Sequence, residues 1–191
     1  MFARILGFAA VAACLATPVS AAVALGDAAG SYSISPANSS IHFSIGKVGG
    51  GGLNGTFARF KGSIRIDNSD VGRSQVNFTI FPESVGTGQG RIDAFLRSDA
   101  VFDAANSPEI QFRSTGVTRT SDTTALVTGR LTARGKTFPE KFTAELGGLK
   151  AGTIKFHVTG KVLRSRYGMD VGTPIYSNVV DFDMMLTGKR G

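Results

Sequence analysis

Asp93 sits two residues after Arg91 and four before Arg97, in the stretch GRIDAFLRSDAVFDA (90–104). A carboxylate between guanidiniums forms an ion pair where burial excludes water, and a buried one can also act as a general base. The spacing predicts the first role, a partly buried structural ion pair at Asp93. Asp181 and Asp183 share one face of a segment, as a paired acid and base would, but two such residues are more simply a charged exterior. His42 and His157 lie far apart with no further ligand at close spacing, so no metal is expected. GTGQGR (86–91) contains a G-x-G without the strand-to-helix crossover that phosphate cradles need, and reads as a turn. No G-x-S-x-G elbow and no HExxH helix is present. These residues assemble no enzyme.

The elements that carry them alternate. Ile41, Phe43 and Ile45 face away from His42 and Ser44, and Phe60, Gly62, Ile64 and Ile66 away from Lys61, Ser63 and Arg65. The same period recurs at Val76–Ile80, Ile110–Ser114, Ala125–Leu131, Phe138–Leu146, Ile154–Val162 and Val180–Leu186. Period two means strands with one dry and one wet face. Eight or nine such strands, separated by turns such as NSDVGRS and GGLKAG, predict an all-β antiparallel meander closed into a barrel. Two stretches depart from the pattern. Ile92, Phe95 and Leu96 have the spacing of a short amphipathic helix, and LRSRYGMDVGTPIYS (163–177) reads as a long loop with one helical turn.

The chain has 14 Phe, 3 Tyr and no Trp, so its aromatic surface is almost free of polar handles and can crowd one interior. A barrel of this size either fills with side chains or holds one small ligand. Gly62, Ser114, Gly129, Ala144 and Gly160 fall at inward positions, where small residues would leave axial space, although strand bends explain the glycines as well. Missing Trp and few Tyr argue against an integral outer-membrane barrel with aromatic girdles.

Met1 to Ala21 read as a secretory signal peptide: a basic start at Arg4, an apolar run, then a small-residue cleavage site. Acylation of Cys14 in VAAC is the weaker alternative. Residues 22–30 then read as a lead and 31–191 as one domain, located in the periplasm. The net charge of +7 loses Arg4 with the signal and becomes +6, spread without a basic run. Nucleic acid is not an expected partner, while anionic headgroups suit the charge better.

The segments YSISPANSSIHFSI, GTFARFKGSIRID, SVGTG, RIDAFLRSDAVFDAANSPEIQFRST, VTGRLTARGKTFP and GKVLRSRYGM follow in order the pattern of the YceI-like family, from about Tyr32 to Leu186. The resemblance implies an extended, eight-stranded lipocalin-like barrel with a short helical cap over residues 90–104. It implies binding of a polyisoprenoid or other long amphiphilic lipid, without catalysis and without a cofactor, the ligand itself being an isoprenoid quinone or prenyl phosphate. On this reading Phe43, Phe60, Phe78 and Phe112 bind the ligand from the early strands, and Phe156 and Phe182 from the late ones. Ile92, Phe95, Leu96 and Phe102 face it from the cap. Arg91, Arg164 and Arg166 would meet a phosphate or quinone oxygen, and Asp93 with a neighbouring arginine or Arg164 would anchor the cap. Transient membrane contact and a homodimer complete the expected partners. Alternatives are an enzyme acting on a lipid in the same pocket and a dry-cored interaction module. The sequence departs from the family at GKVGGGGLNG (46–55), where members often carry a histidine, and at Arg166, where an acid is common; the second favours an acidic headgroup.

Overall fold

A computed structural model describes residues 23–191; the signal segment and Cys14 lie outside them. The strands are β1 (Gly30–Ile34), β2 (Ser40–Gly46), β3 (Gly52–Phe57), β4 (Phe60–Ile66), β5 (Gln75–Ile80) and β6 (Val85–Gly86), followed after helix α1 (Gly90–Arg97) by β7 (Ile110–Arg119), β8 (Thr124–Ala133), β9 (Lys136–Lys150), β10 (Thr153–Leu163) and β11 (Val179–Arg190). They make an eight-stave antiparallel barrel, because the first three staves are each broken once. Staves β1–β2, β3–β4 and β5–β6 are interrupted at Pro36–Asn38, Ala58–Arg59 and Pro82–Ser84. Proline supplies no amide to a ladder and fixes the break in two of the three. Ser84 stitches the kink, its Oγ accepting the Arg59 amide at 2.9 Å and its carbonyl the Ala58 amide at 3.1 Å. β11 closes the ring by pairing with β2 through Asp181–Met185 and with β1 through Gly188–Arg190.

The alternation read from the sequence sets the two faces. Ile41, Phe43, Phe57, Ile64, Phe112, Ile154 and Phe156 are buried, whereas His42, Arg65, Arg113, Arg130, Lys155 and Lys161 are exposed. Charged outward faces are not those of a wall in contact with hydrocarbon. The base is closed by the segment expected as a lead: Leu25 and Ala28 are 3% and 0% exposed, and Leu25 donates its amide to the Asp122 carbonyl at 2.8 Å.

The hollows at the inward glycines are not themselves the axial space. Each hollow holds a phenylalanine ring from the neighbouring strand: Phe43 over Gly55, Phe78 over Gly62, Phe112 over Gly129, Phe142 over Gly160. A Cβ at these four glycines would fall 2.3–2.5 Å from a ring carbon, closer than any side chain tolerates. Glycine lets the ring lie against the backbone and recede from the axis. The pairing keeps a Phe-rich interior from filling completely.

Candidate functional site

A cavity of about 180 Å³ runs along the barrel axis. Apolar side chains wall it from Leu25 at the base to Leu96 and Phe102 under the cap, and Ser74 and Arg164 border it without turning polar surface into it. Ala125, Ala144 and Val158 are ladder neighbours across β8, β9 and β10 and line it. Of the side chains expected to bind a ligand, Phe43, Phe78, Leu96, Phe102, Phe112, Phe156 and Phe182 border the cavity.

Several of the expected side chains do not border the cavity. Phe60 is buried but lies outside the lining, stacked on Phe78 with ring centres 5.7 Å apart. Phe95 is 47% exposed and Ile92 packs half-buried against the core without bordering the cavity. The reason is the length of α1: eight residues laid across the barrel bury one side chain, Leu96, so the apolar stripe is wider than the contact. Arg91 is exposed, and Arg166 is exposed with its Nη1 4.0 Å from Glu140 Oε1.

Asp93 pairs with no arginine. Its Oδ1 accepts the Thr87 hydroxyl at 2.6 Å and the Thr87 amide at 2.7 Å, so it ties the first turn of α1 to the end of β6. The turn after Gly86 brings this closer donor, and a carboxylate at a helix N-terminus also meets the positive end of the dipole. The Thr87 hydroxyl first, then its amide and the Arg97 charge, hold the Asp93 carboxyl below its ordinary 3.8. A carboxyl lowered in the fold stabilises it above the unfolded value and ceases to as pH falls through the folded value. Protection of the α1 amides against hydrogen exchange, corrected for intrinsic rates, is therefore expected to stay level from neutral pH to about 3.8 and to drop below it. In Asp93→Asn the added acid drop should vanish; equal profiles would remove Asp93 as the tie.

Two arginines that donate to carbonyls organise this end of the barrel, Arg164 within loop 164–178 and Arg134 between that loop and residues 99–101. Arg164, 7% exposed, gives Nε to Ser177 at 2.8 Å, Nη1 to Val171 at 2.9 Å and to Met169, and Nη2 to Tyr176 at 3.3 Å. Burial lowers its pKa, against a smaller opposing effect of Asp170. Its fork gathers loop 164–178 around one centre, so its hydrogen bonds go to the loop and not to a cavity ligand. Arg134 bonds the Val101 and Gly168 carbonyls through Nη1 at 3.0 and 2.7 Å, and that of Asp99 through Nη2 at 2.8 Å. It joins the β8–β9 turn to the crossover and to loop 164–178. Beside it Tyr167, fully buried, donates to Glu140 at 3.0 Å and meets Phe138 edge-on, and burial first, then the Glu140 charge, raises its pKa. The sequence reading missed Arg134, Tyr167 and Glu140.

On the outside, Asp183 lies 3.1 Å from His157 Nε2 and Asp181 pairs with Lys161, as a charged exterior would. No cluster of three metal-ligating side chains occurs among the described residues.

The family model for the YceI-like domain matches residues 32–187. A UPF0312 protein of Photorhabdus laumondii is 32% identical over 158 residues, covering 78% of this chain and 80% of that protein. Among solved structures, BcnA of Burkholderia cenocepacia superposes with a TM-score of 0.75 at 20% identity, over 81% of this chain and 98% of its own. A polyisoprenoid binding domain from Saccharophagus degradans, implicated in plant cell wall breakdown, gives 0.67 at 17% identity, over 84% and 98%.

Proposed function

Because this chain belongs to the YceI-like family, we propose that it binds a polyisoprenoid or other long-chain amphiphilic lipid in the barrel lumen, to carry or sequester it in the periplasm. The observation that carries this reading is the axial cavity with its apolar wall. Binding, with no covalent step, would be its whole activity. The apolar leader at residues 1–21 supports export, and the Saccharophagus domain of the same fold supports the ligand class.

Affinity would come from removing the chain from water, about 0.8 kcal/mol per methylene and roughly 3–4 kcal/mol per five-carbon unit. The present cavity of about 180 Å³ is little larger than the roughly 150 Å³ that accepts a benzene. A longer chain must turn phenylalanine rings off their glycine hollows or leave its headgroup end outside the cap. The same volume favours a second reading, a dry-cored interaction module. Native mass spectrometry of detergent-free periplasmic protein, followed by organic extraction, separates the two. A discrete extra mass that extracts as an isoprenoid lipid is expected. An apo mass that persists after incubation with quinones and prenyl phosphates would overturn lipid binding and leave the module.

A further inference from the structure

Six large hydrophobic side chains are exposed among the described residues, and five of them, Val48, Phe95, Val171, Ile175 and Tyr176, lie at the cap end; Met185 alone is on the barrel wall. Exposed apolar residues are ordinary when scattered, and informative when they collect. Here four collect on two loops that are bonded together. Val48 donates its amide to Ile175 at 2.9 Å, Ser177 donates to Gly46 at 2.8 Å, and Lys47 bridges Tyr176. Val48 and Ile175 are 74% and 58% exposed, so the paired loops end in an unshielded aliphatic tip.

The exposed charge at the cap end has one sign in excess. Lys47, Arg91, Arg97, Lys136 and Arg166 are exposed at this end, against Asp99 and Asp170. The half-buried acids Asp93, Asp103, Glu109 and Glu140 keep their charge beneath this rim, held by the neutral Thr87, Asn106, Gln111 and Tyr167, so the excess is one of exposed groups. Loop 164–178 is also one chain thick between the tip and the lumen. Met169 is buried against the cavity, while Val171, two residues on, is half exposed.

An aliphatic tip within a cationic rim matches the interface of an anionic bilayer, where apolar side chains enter the acyl boundary and each basic residue gains from the surface potential. We propose that the cap end docks on an anionic lipid membrane, with Val48 and Ile175 inserted and Lys47 at headgroup level. The membrane's role as donor or acceptor of a lumen lipid rests on the function proposed above; the docking itself does not.

The test uses vesicles free of isoprenoid lipid, so that the two readings fail separately. The protein should sediment with vesicles rich in phosphatidylglycerol and much less with phosphatidylcholine alone, and salt should weaken the binding. Val48→Ser/Ile175→Ser should bind about tenfold more weakly, keep the wild-type thermal midpoint and still take up a short prenyl phosphate from solution. If that variant is destabilised, Lys47→Glu carries the test, since it should reduce both binding and its salt dependence. Equal sedimentation of wild type and variants, or none of the wild type, overturns the proposal. So does a wild-type dimer that the double variant dissociates while neither binds vesicles, which would make the tip an interface between copies. Vesicle binding by a protein that never holds lipid would leave the docking standing and remove the lumen function.

Discussion

Arg164→Ala is expected to lose about 3–4 kcal/mol of stability, read as a fall in the urea midpoint with an unchanged slope. For a domain of this size the thermal midpoint should fall by roughly 10 °C. The loss follows from what the guanidinium leaves behind. Carbonyls of Met169, Val171, Tyr176 and Ser177 all turn toward one buried group, and alanine supplies none of them with a donor. Charge-assisted bonds contribute about 1.5–3 kcal/mol each, but the four are not additive, because freed carbonyls near the loop's outer side can recover water. Arg164→Lys should recover little, since one ammonium cannot reach four acceptors that a planar fork spans. A loss under about 1 kcal/mol would mean that the loop rehydrates freely and that Arg164 does not organise it. Because Met169 and Tyr167 line the lumen from this loop, the same variant should also release a bound lipid faster.

The role of Arg164 shows where sequence reading stops. Alternation over eight segments was enough to predict the barrel, since period two with one dry face has few other outcomes. The family pattern supplied the cap. The inward, cavity-lining positions of Phe43, Phe78, Phe112, Phe156 and Phe182 followed from the same alternation. What failed depended on groups a sequence does not display. An arginine beside a carboxylate suggests a pair, yet Asp93 found the amide and hydroxyl of Thr87, and Arg134 and Arg164 found backbone carbonyls. Helical spacing placed Phe95 with Leu96, but a short helix tangent to the barrel buries only the side chain that points straight down. The glycine hollows were visible as small residues, while their filling by Phe112 and Phe142 depends on register. That register is shifted between Ser114 and Gly116 and between Lys155 and Phe156, and bulges leave no clear mark in a strand's alternation.

Those corrections decide how the lumen is best tested. An acidic residue at Phe95 would touch solvent and should leave lipid retention unchanged, whereas one at Phe156 would bury an unpaired carboxylate and confuse binding with folding. Ala144→Phe avoids both. Ala144 lines the cavity with its ladder neighbours Ala125 on β8 and Val158 on β10, so small side chains adjoin it on both sides. A phenyl group fills most of a cavity of roughly 150 Å³, so at Ala144 it would occupy most of the observed space of about 180 Å³. Filling an existing void should hold the stability change within about 1–2 kcal/mol in either direction. The lipid mass should disappear from the native spectrum, and added prenyl phosphate should bind at least about tenfold more weakly, a deficit of about 1.4 kcal/mol. A folded Ala144→Phe protein that kept its lipid would put the ligand outside the barrel axis. The phenylalanine–glycine pairs would then be a device for packing the interior, not for keeping it open.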